Sequence, residues 1–386
     1  MLFNRNFGDL VTFARASSAW TYSNGGVLVP VAAGVPRFEY DPSTLVALGM
    51  PIEESMANLC TYSEFPNGTS DAPTRGGPIT AASLSLLGYF SSGIAVGWDG
   101  TNHAYAYKAV TLSASTQYTV SVFVKMDDGA APSFGAATGA DVSNDFAMVL
   151  GSSTIGPNSF TVKALRDGVY RVSGTLTTPA SPGPNLGVVK YSTNTPRTFK
   201  VTGYQIRAGA YAGSYVPTQG AQATRAAENA TISDLSKIGF NVSEGTVFAE
   251  FMVPRLTAGV TGDVGQGVVT LGDSALNNYL AVGVAPTGAA ILYRKGTTNP
   301  GQLSTANALT VGAATKVAFA YGAGQNDAIC LNGGAVASGT SGSPSGLTEM
   351  RLGRFSGNPG WLNGWLRNVR YFPRRLSNTE LQALTS

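Results

Sequence analysis

Apolar and polar residues alternate with a period of two along much of the chain, while helical periodicity is scarce. In Tyr118-Thr119-Val120-Ser121-Val122-Phe123-Val124-Lys125, residues Tyr118, Val120, Val122 and Val124 share one face of an extended strand. The run Tyr170 to Thr177 alternates apolar against polar. Val247, Ala249, Phe251 and Val253 alternate with Phe248, Glu250 and Met252, which predicts a strand covered on both sides. Val317, Phe319 and Tyr321 repeat the pattern. Pro- and Gly-rich punctuation at 179–184 and 342–346 separates such runs. The fold class predicted is all-β, with antiparallel β-sandwich (jelly-roll) domains in tandem. One short helix is marked at the C-terminus, where Ser377 and Glu380 form a capping box ahead of Leu381 and Leu384. With no heptad run, Gly-X-Y tract or long repeat, compact globules are expected rather than a fibrous shaft.

The 386 residues suggest two or three domains. Boundaries are expected near 60 and 228, giving a turn-rich segment (1–60) and two sandwiches (61–227 and 228–386). The stretch Thr218 to Glu228 is small and polar, as a connector would be. A short echo links Thr12-Phe-Ala-Arg15-Ala-Ser17 with Ala223-Thr-Arg225-Ala-Ala-Glu228. Chance is one explanation; the other is that both segments cover one edge of the middle domain.

Composition adds limits. Hydrophobic residues are 43% and charged residues 12%, which allows packed cores and excludes global disorder. The 48 glycines and 20 prolines fit strands joined by turns. A formal net charge of +3 is too small to imply nucleic-acid binding across the chain. No run approaches 18 apolar residues, so membrane insertion is not expected. The opening Met1 to Asn6 lacks the layout of a signal peptide, so a role outside cells would require release by lysis or within an assembly. Cys60 and Cys330 are expected to be buried free thiols, with a disulfide between them as the alternative.

Candidate chemistry is sparse. His103 is the chain's single histidine, and no Gly-x-Ser-x-Gly elbow is present, which disfavours a nucleophile–histidine site. Glu244 and Glu250 lie six residues apart, and Glu53 and Glu54 are adjacent and face opposite sides of a strand, so neither pair suits glycoside hydrolysis. The chain is therefore read as non-enzymatic, with no cofactor expected. Zinc spacing is lacking. Candidate calcium ligands are Asp127, Asp128 and Asp273 with Asn277 and Asn278, against the alternative that these side chains cap turns. The glycine-rich run 259–267 lacks phosphate-loop features and is expected to be a loop.

Two surfaces stand out. Trp98, Asp99, Asn102, Tyr105 and Tyr107, around His103, combine aromatic faces with polar readers of hydroxyls, the composition of a glycan site. The alternative is that Trp98 packs a sheet edge. Arg351, Arg354, Arg367, Arg370, Arg374 and Arg375 occur without an acid in 351–375, and suit an anionic partner. The alternative is a core strand with arginines snorkelling outward. Leu366 and Val369 are three apart, so that strand requires a bulge near Arg367-Asn368.

Several segments resemble a group of bacteriophage structural and tail-associated proteins. The N-terminal residues carrying the likeness are Phe13-Ala-Arg15-Ala-Ser17, Pro36-Arg37-Phe38-Glu39-Tyr40-Asp41-Pro42, Leu48-Gly49 with Ile52-Glu53-Glu54, Asn58-Leu59 and Tyr62-Ser63-Glu64. Residues 60–227 resemble a carbohydrate-binding-module jelly roll, through Tyr118 to Lys125, Asp167-Gly168-Val-Tyr170-Arg171-Val172-Ser173, Tyr204-Gln205-Ile206 and Gly213 to Thr218. Residues 229–386 resemble a concanavalin-A or laminin-G type sandwich, through Gly364 to Tyr371 and Pro373 to Leu381. The resemblance implies a virion protein assembled in the host cytoplasm and displayed extracellularly, with other virion proteins as partners. It implies either a tail or fibre component recognising host-surface polysaccharide or lipopolysaccharide, or a capsid decoration, head-fibre or adaptor protein. Analogy with phage fibres implies a homotrimer.

Overall fold

The computed structural model describes residues 7–72, 74–257, 265–295, 301–339, 345–355 and 360–386. The expected loop at 259–267 lies outside the described residues as far as 264, as do the punctuation at 342–344 and the opening residues 1–6. The described chain is almost entirely antiparallel β-structure arranged as two sandwiches in tandem, with a short C-terminal helix.

In the middle sandwich a six-stranded sheet, ordered Thr161–Ala164, Val169–Thr177, Gln117–Met126, Phe199–Ala208, Phe90–Val96, Ile79–Leu86, packs on a five-stranded one. The latter is ordered Ser153–Ile155, Ala147–Leu150, Asn185–Lys190, Ala104–Ala109, Thr74–Gly76. The alternation in Tyr118–Lys125 sends Tyr118, Val120, Val122 and Val124 into the core between the sheets, where Met148, Leu186 and Val188 meet them. Opposite-facing Phe123 joins Phe90 and Tyr215 in a second cluster. That cluster depends on a register shift between Ser121 and Phe123. At the shift Gly203 has φ +62°, and an added Cβ would lie 2.4 Å from the Phe123 ring. Only glycine fits there.

The C-terminal sandwich pairs two seven-stranded sheets. Val247, Ala249, Phe251, Val317, Phe319 and Tyr321 fill its core. Phe248, facing the other way, packs with Cys330, Leu376 and Leu381 beneath the helix Asn378–Thr385, so the strand is covered on both sides as its pattern predicts. Ser377 and Glu380 form the expected capping box. The predicted bulge is present too: Glu250 pairs with Asn368 and Phe251 with Leu366, leaving Arg367 as the extra residue. Cys60 and Cys330 are free and buried.

The first sixty residues are more strand-rich than their pattern suggests. Strand Thr12–Ala14 extends one sheet of the C-terminal sandwich, Ala47–Ile52 extends the other, and Met56–Asn58 pairs with Ala223–Arg225. The hairpin Ala19–Tyr22/Leu28–Val31 sends Tyr22 and Leu28 against the middle sandwich. The two echoing segments do meet, but each other: Ala226 N–H donates to Ser17 Oγ and Arg15 donates to Glu228, while Thr12–Ala14 pairs with Asn229–Thr231, just beyond the second segment, at an edge of the C-terminal sandwich. The expected shared edge of the middle domain is corrected accordingly. The segments' backbones are satisfied by other strands, Thr12–Ala14 by Asn229–Thr231 and Ala223–Arg225 by Met56–Asn58.

This meeting point holds a buried ionic hub. Arg37, 0% exposed, donates to both Glu228 carboxylate oxygens at 2.7 Å and to Glu53 at 2.8 Å. It also donates to the Trp20 carbonyl and to Ser214 Oγ. Arg15 donates to Glu228 at 3.2 Å, and Arg225 lies 3.6 Å from Glu53. Trp361 Nε1 donates to the Glu228 carbonyl. Nearby, Asn58 spans the backbone of Cys60, Tyr204, Ile206 and Val216. The N-terminal segment, the middle sandwich and the C-terminal sandwich thus share one set of charges.

Candidate functional site

The five-stranded sheet turns its other face outward. In strand Ala104–Ala109 the alternation buries Ala104 and Ala106 and points Tyr105 and Tyr107 out. Lys108, at the inner edge, donates to the Asp71 carbonyl, and its ammonium lies 4.0 Å from the centroid of the Phe65 ring. In the partner strand, Leu186 and Val188 face the core while Gly187 and Val189 face out. Tyr105 stands opposite Val189 and Gly76, and Tyr107 opposite Gly187.

The glycines set how the rings lie. A Cβ on Gly76 would be 2.8 Å from the end of the Tyr105 ring, and one on Gly187 would be 2.8 Å from Tyr107 Cδ1. Without those side chains both rings settle toward the sheet, stacked at 5.2 Å with 24° between planes. Tyr191, two residues beyond Val189 on the same alternation, adds a third ring, its hydroxyl 3.5 Å from Thr154 Oγ1. Ala147, Val149 and Val189 are buried beneath the three half-buried tyrosines. Burial first, then the neighbouring Tyr191 and Tyr105 phenols, push the Tyr107 phenol up to about 12. It remains a neutral hydrogen-bonding hydroxyl at physiological pH.

Of the sequence-expected residues, Tyr105 and Tyr107 form this face. Trp98, 37% exposed, donates from Nε1 to the Ser192 carbonyl, next to Tyr191. His103 accepts from Ser192 N–H at Nδ1 and sets its ring edge-on to Tyr191 at 5.0 Å. Trp98 and His103 therefore clip the turn that carries Tyr191. Asp99 accepts from the Asn102 and Thr101 N–H groups and from Asn102 Nδ2, which holds its carboxyl well below the usual range. Asp99 and Asn102 are engaged with each other in their own turn. Tyr191 and Thr154 were not among the expected residues; continuing the Gly187, Val189 alternation by two would have found the tyrosine.

The six arginines are spread over two sheets and the segment leading to the helix. Arg351 pairs with Glu349, Arg367 with Glu250 and Arg374 with Glu380. Arg375 donates to the Asn326 carbonyl, Arg354 bonds Asn229 and lies over Trp361, and Arg370 lies over Phe248. Acids just outside the 351–375 stretch, Glu349 and Glu380, neutralise two of them, and Glu250, distant in sequence, a third. Among the candidate calcium ligands, Asp127 pairs with Lys200 and Asp128 with Arg197. Asp273 accepts from the Asn277 and Asn278 N–H groups and from Asn278 Nδ2. Among the described residues no group of three His, Cys, Asp or Glu side chains could hold a metal ion. Glu244 accepts from Arg375 N–H, and Glu53 and Glu54 are paired with Arg37 and Arg207. No described helix is long and apolar enough to cross a membrane.

The chain matches no known family, and no curated protein matches it. Among solved structures it is similar to the CBM40 of Ruminococcus gnavus IT-sialidase bound to alpha2,3 sialyllactose. The identity is 15%, the TM-score 0.32, and the match covers 38% of this chain and 84% of that one. It is similar also to domains LG4-5 of the mouse laminin alpha1 chain, at 11% identity and TM-score 0.28, over 74% of this chain and 90% of that one. The tandem CBM22-1-CBM22-2 domain of Paenibacillus barcinonensis Xyn10C gives 12% identity and TM-score 0.27, over 82% and 98%.

Proposed function

We propose that this chain is a non-catalytic glycan-binding protein that holds a saccharide against Tyr105, Tyr107 and Tyr191. The observation that carries the reading is the tyrosine face itself, three half-buried rings seated over glycine and small apolar residues. Pyranose rings present C–H faces that stack on aromatic rings, and phenolic hydroxyls can exchange hydrogen bonds with sugar hydroxyls. The finer setting, a receptor-binding tail or fibre component of a phage virion reading host-surface polysaccharide or lipopolysaccharide, rests on the resemblance of the N-terminal motifs. A trimeric assembly belongs to the same proposal. A glycan array with the purified chain is expected to give a discrete set of bound saccharides. An empty array sinks the reading.

A second reading, attachment to other virion proteins as a decoration or adaptor, is favoured by one observation. Val35, Phe38, Leu45 and Val46 are large apolar side chains left exposed within the N-terminal motif segment, Phe38 at 52%. If attachment dominates, Phe38→Ser removes the protein from purified virions, and its copy number there follows that of the capsid protein.

A further inference from the structure

Away from the tyrosine face, a cavity of about 450 Å³ opens where the two sandwiches and the N-terminal hairpin converge. That is within the size range of small-molecule sites, which favour such junctions. Its walls differ in chemistry. One is the outward face of the six-stranded sheet, with the hydroxyls of Thr119, Ser173 and Thr175. The others bring Trp20 from the hairpin, Tyr211 from the 210–215 loop, and Arg255 and Trp365 from the C-terminal sandwich.

Arg255 decides the ligand's charge. Its guanidinium lies 5.0 Å from the centroid of the Tyr211 ring, and its buried Nε has no hydrogen-bond partner among the described residues. Two carboxylates line the same cavity, and both are engaged elsewhere. Glu53 belongs to Arg37, Arg225 and Ser214. Glu39 accepts from Trp365 Nε1 at 2.8 Å, and burial pushes its carboxyl up, toward the neutral form. Of the other cations, Arg171 donates to Ser121 and the Gly213 carbonyl, and Lys163 lies 3.8 Å from Asp41. Tyr22 adds a second buried polar atom without a partner, its hydroxyl, to the same lining. Buried polar groups left unpaired cost free energy, and two belong to residues that line this one cavity, so an acceptor reaching past its surface would relieve that cost.

We propose that this cavity binds a small, hydroxyl-rich carboxylate of the uronic acid class. The carboxylate bonds Arg255, the sugar ring packs between Trp20, Tyr211 and Trp365, and the hydroxyls meet the Thr119–Thr175 wall. The proposal does not depend on the tyrosine face.

The test titrates the full chain with glucuronate and galacturonate, and with glucose and galactose as their neutral parents. Tryptophan fluorescence reports, because Trp20 and Trp365 line the cavity, and calorimetry checks it. The uronates are expected to bind roughly tenfold or more tightly than their parents. Arg255→Gln removes that preference, Tyr22→Phe weakens uronate binding while retaining the fold, and Tyr105→Ala/Tyr107→Ala leaves it intact. Circular dichroism verifies that each variant is folded. Uronates that fail to bind, that bind no better than their parents, or that bind Arg255→Gln and Tyr22→Phe unchanged overturn the proposal. Loss of uronate binding in the tyrosine variant also overturns it, by placing the ligand on the other face.

Discussion

Arg37 has no exposed surface, yet it must carry a full charge, and its surroundings explain why that is tolerated. Burial alone would lower its pKa, but Glu228 and then Glu53 outweigh the burial and raise it above the usual value. The arrangement is costly to break from one side, because the remaining charges stay buried. Glu228→Gln is therefore expected to destabilise the fold by about 3–5 kcal/mol, measured by urea unfolding. Glu53 sets a pH dependence. Burial would raise its carboxyl, but Arg225 and Arg37, with hydrogen bonds from Arg37 and Ser214, hold it well below the usual carboxylate range. A depressed folded pKa adds stability that is fully present above the unfolded value of about 4.3 and is lost as pH falls toward the folded one. The unfolding midpoint should drop below about pH 4 in the wild type, and more shallowly in Glu53→Gln. An equally steep fall in Glu53→Gln would assign the acid sensitivity to other carboxylates.

At the level of strands, the period-two pattern was sufficient where alternate residues enter two different packed layers. Tyr118–Lys125 and Val247–Val253 fall where their alternation puts them, and the Leu366–Val369 spacing located its bulge. The first sixty residues were less legible because their strands are short and borrow partners from far along the chain. Ala47–Ile52 pairs with Gly364–Leu366, and Thr12–Ala14 with Asn229–Thr231. Local alternation carries no information about such pairings, and a buried arginine such as Arg37 looks like a surface residue until its acids are located. The tyrosine face was half legible, since Tyr105 and Tyr107 lie on a strand while Tyr191 reaches the face from the turn beyond one. Its geometry is tied to Gly187, where a Cβ would fall 2.1 Å from the Ala106 carbonyl oxygen. Gly187→Ala should force the two strands apart, costing on the order of 1–3 kcal/mol. Saccharide binding should weaken with it, in parallel measurements of thermal unfolding and array signal. Unchanged binding would separate the glycine from the site.

Across the whole molecule, the hub and the tyrosine face divide the work. The hub joins segments 213 residues apart, Arg15 and Glu228, and so locks two sandwiches that each have their own core. Calorimetry on the intact chain should show one cooperative transition that splits in Glu228→Gln; two transitions in the wild type would mean that the sandwiches fold independently. The tyrosine face lies on the outer side of the middle sandwich, free of those charges, where stacked sheets offer aromatic rings and hydroxyls. Isothermal titration of the strongest array saccharide into wild type and into Tyr105→Ala/Tyr107→Ala measures that claim directly. Loss of two stacking rings is expected to weaken binding by at least about tenfold with the fold retained. Equal affinity in the folded double variant would contradict it and place the saccharide elsewhere.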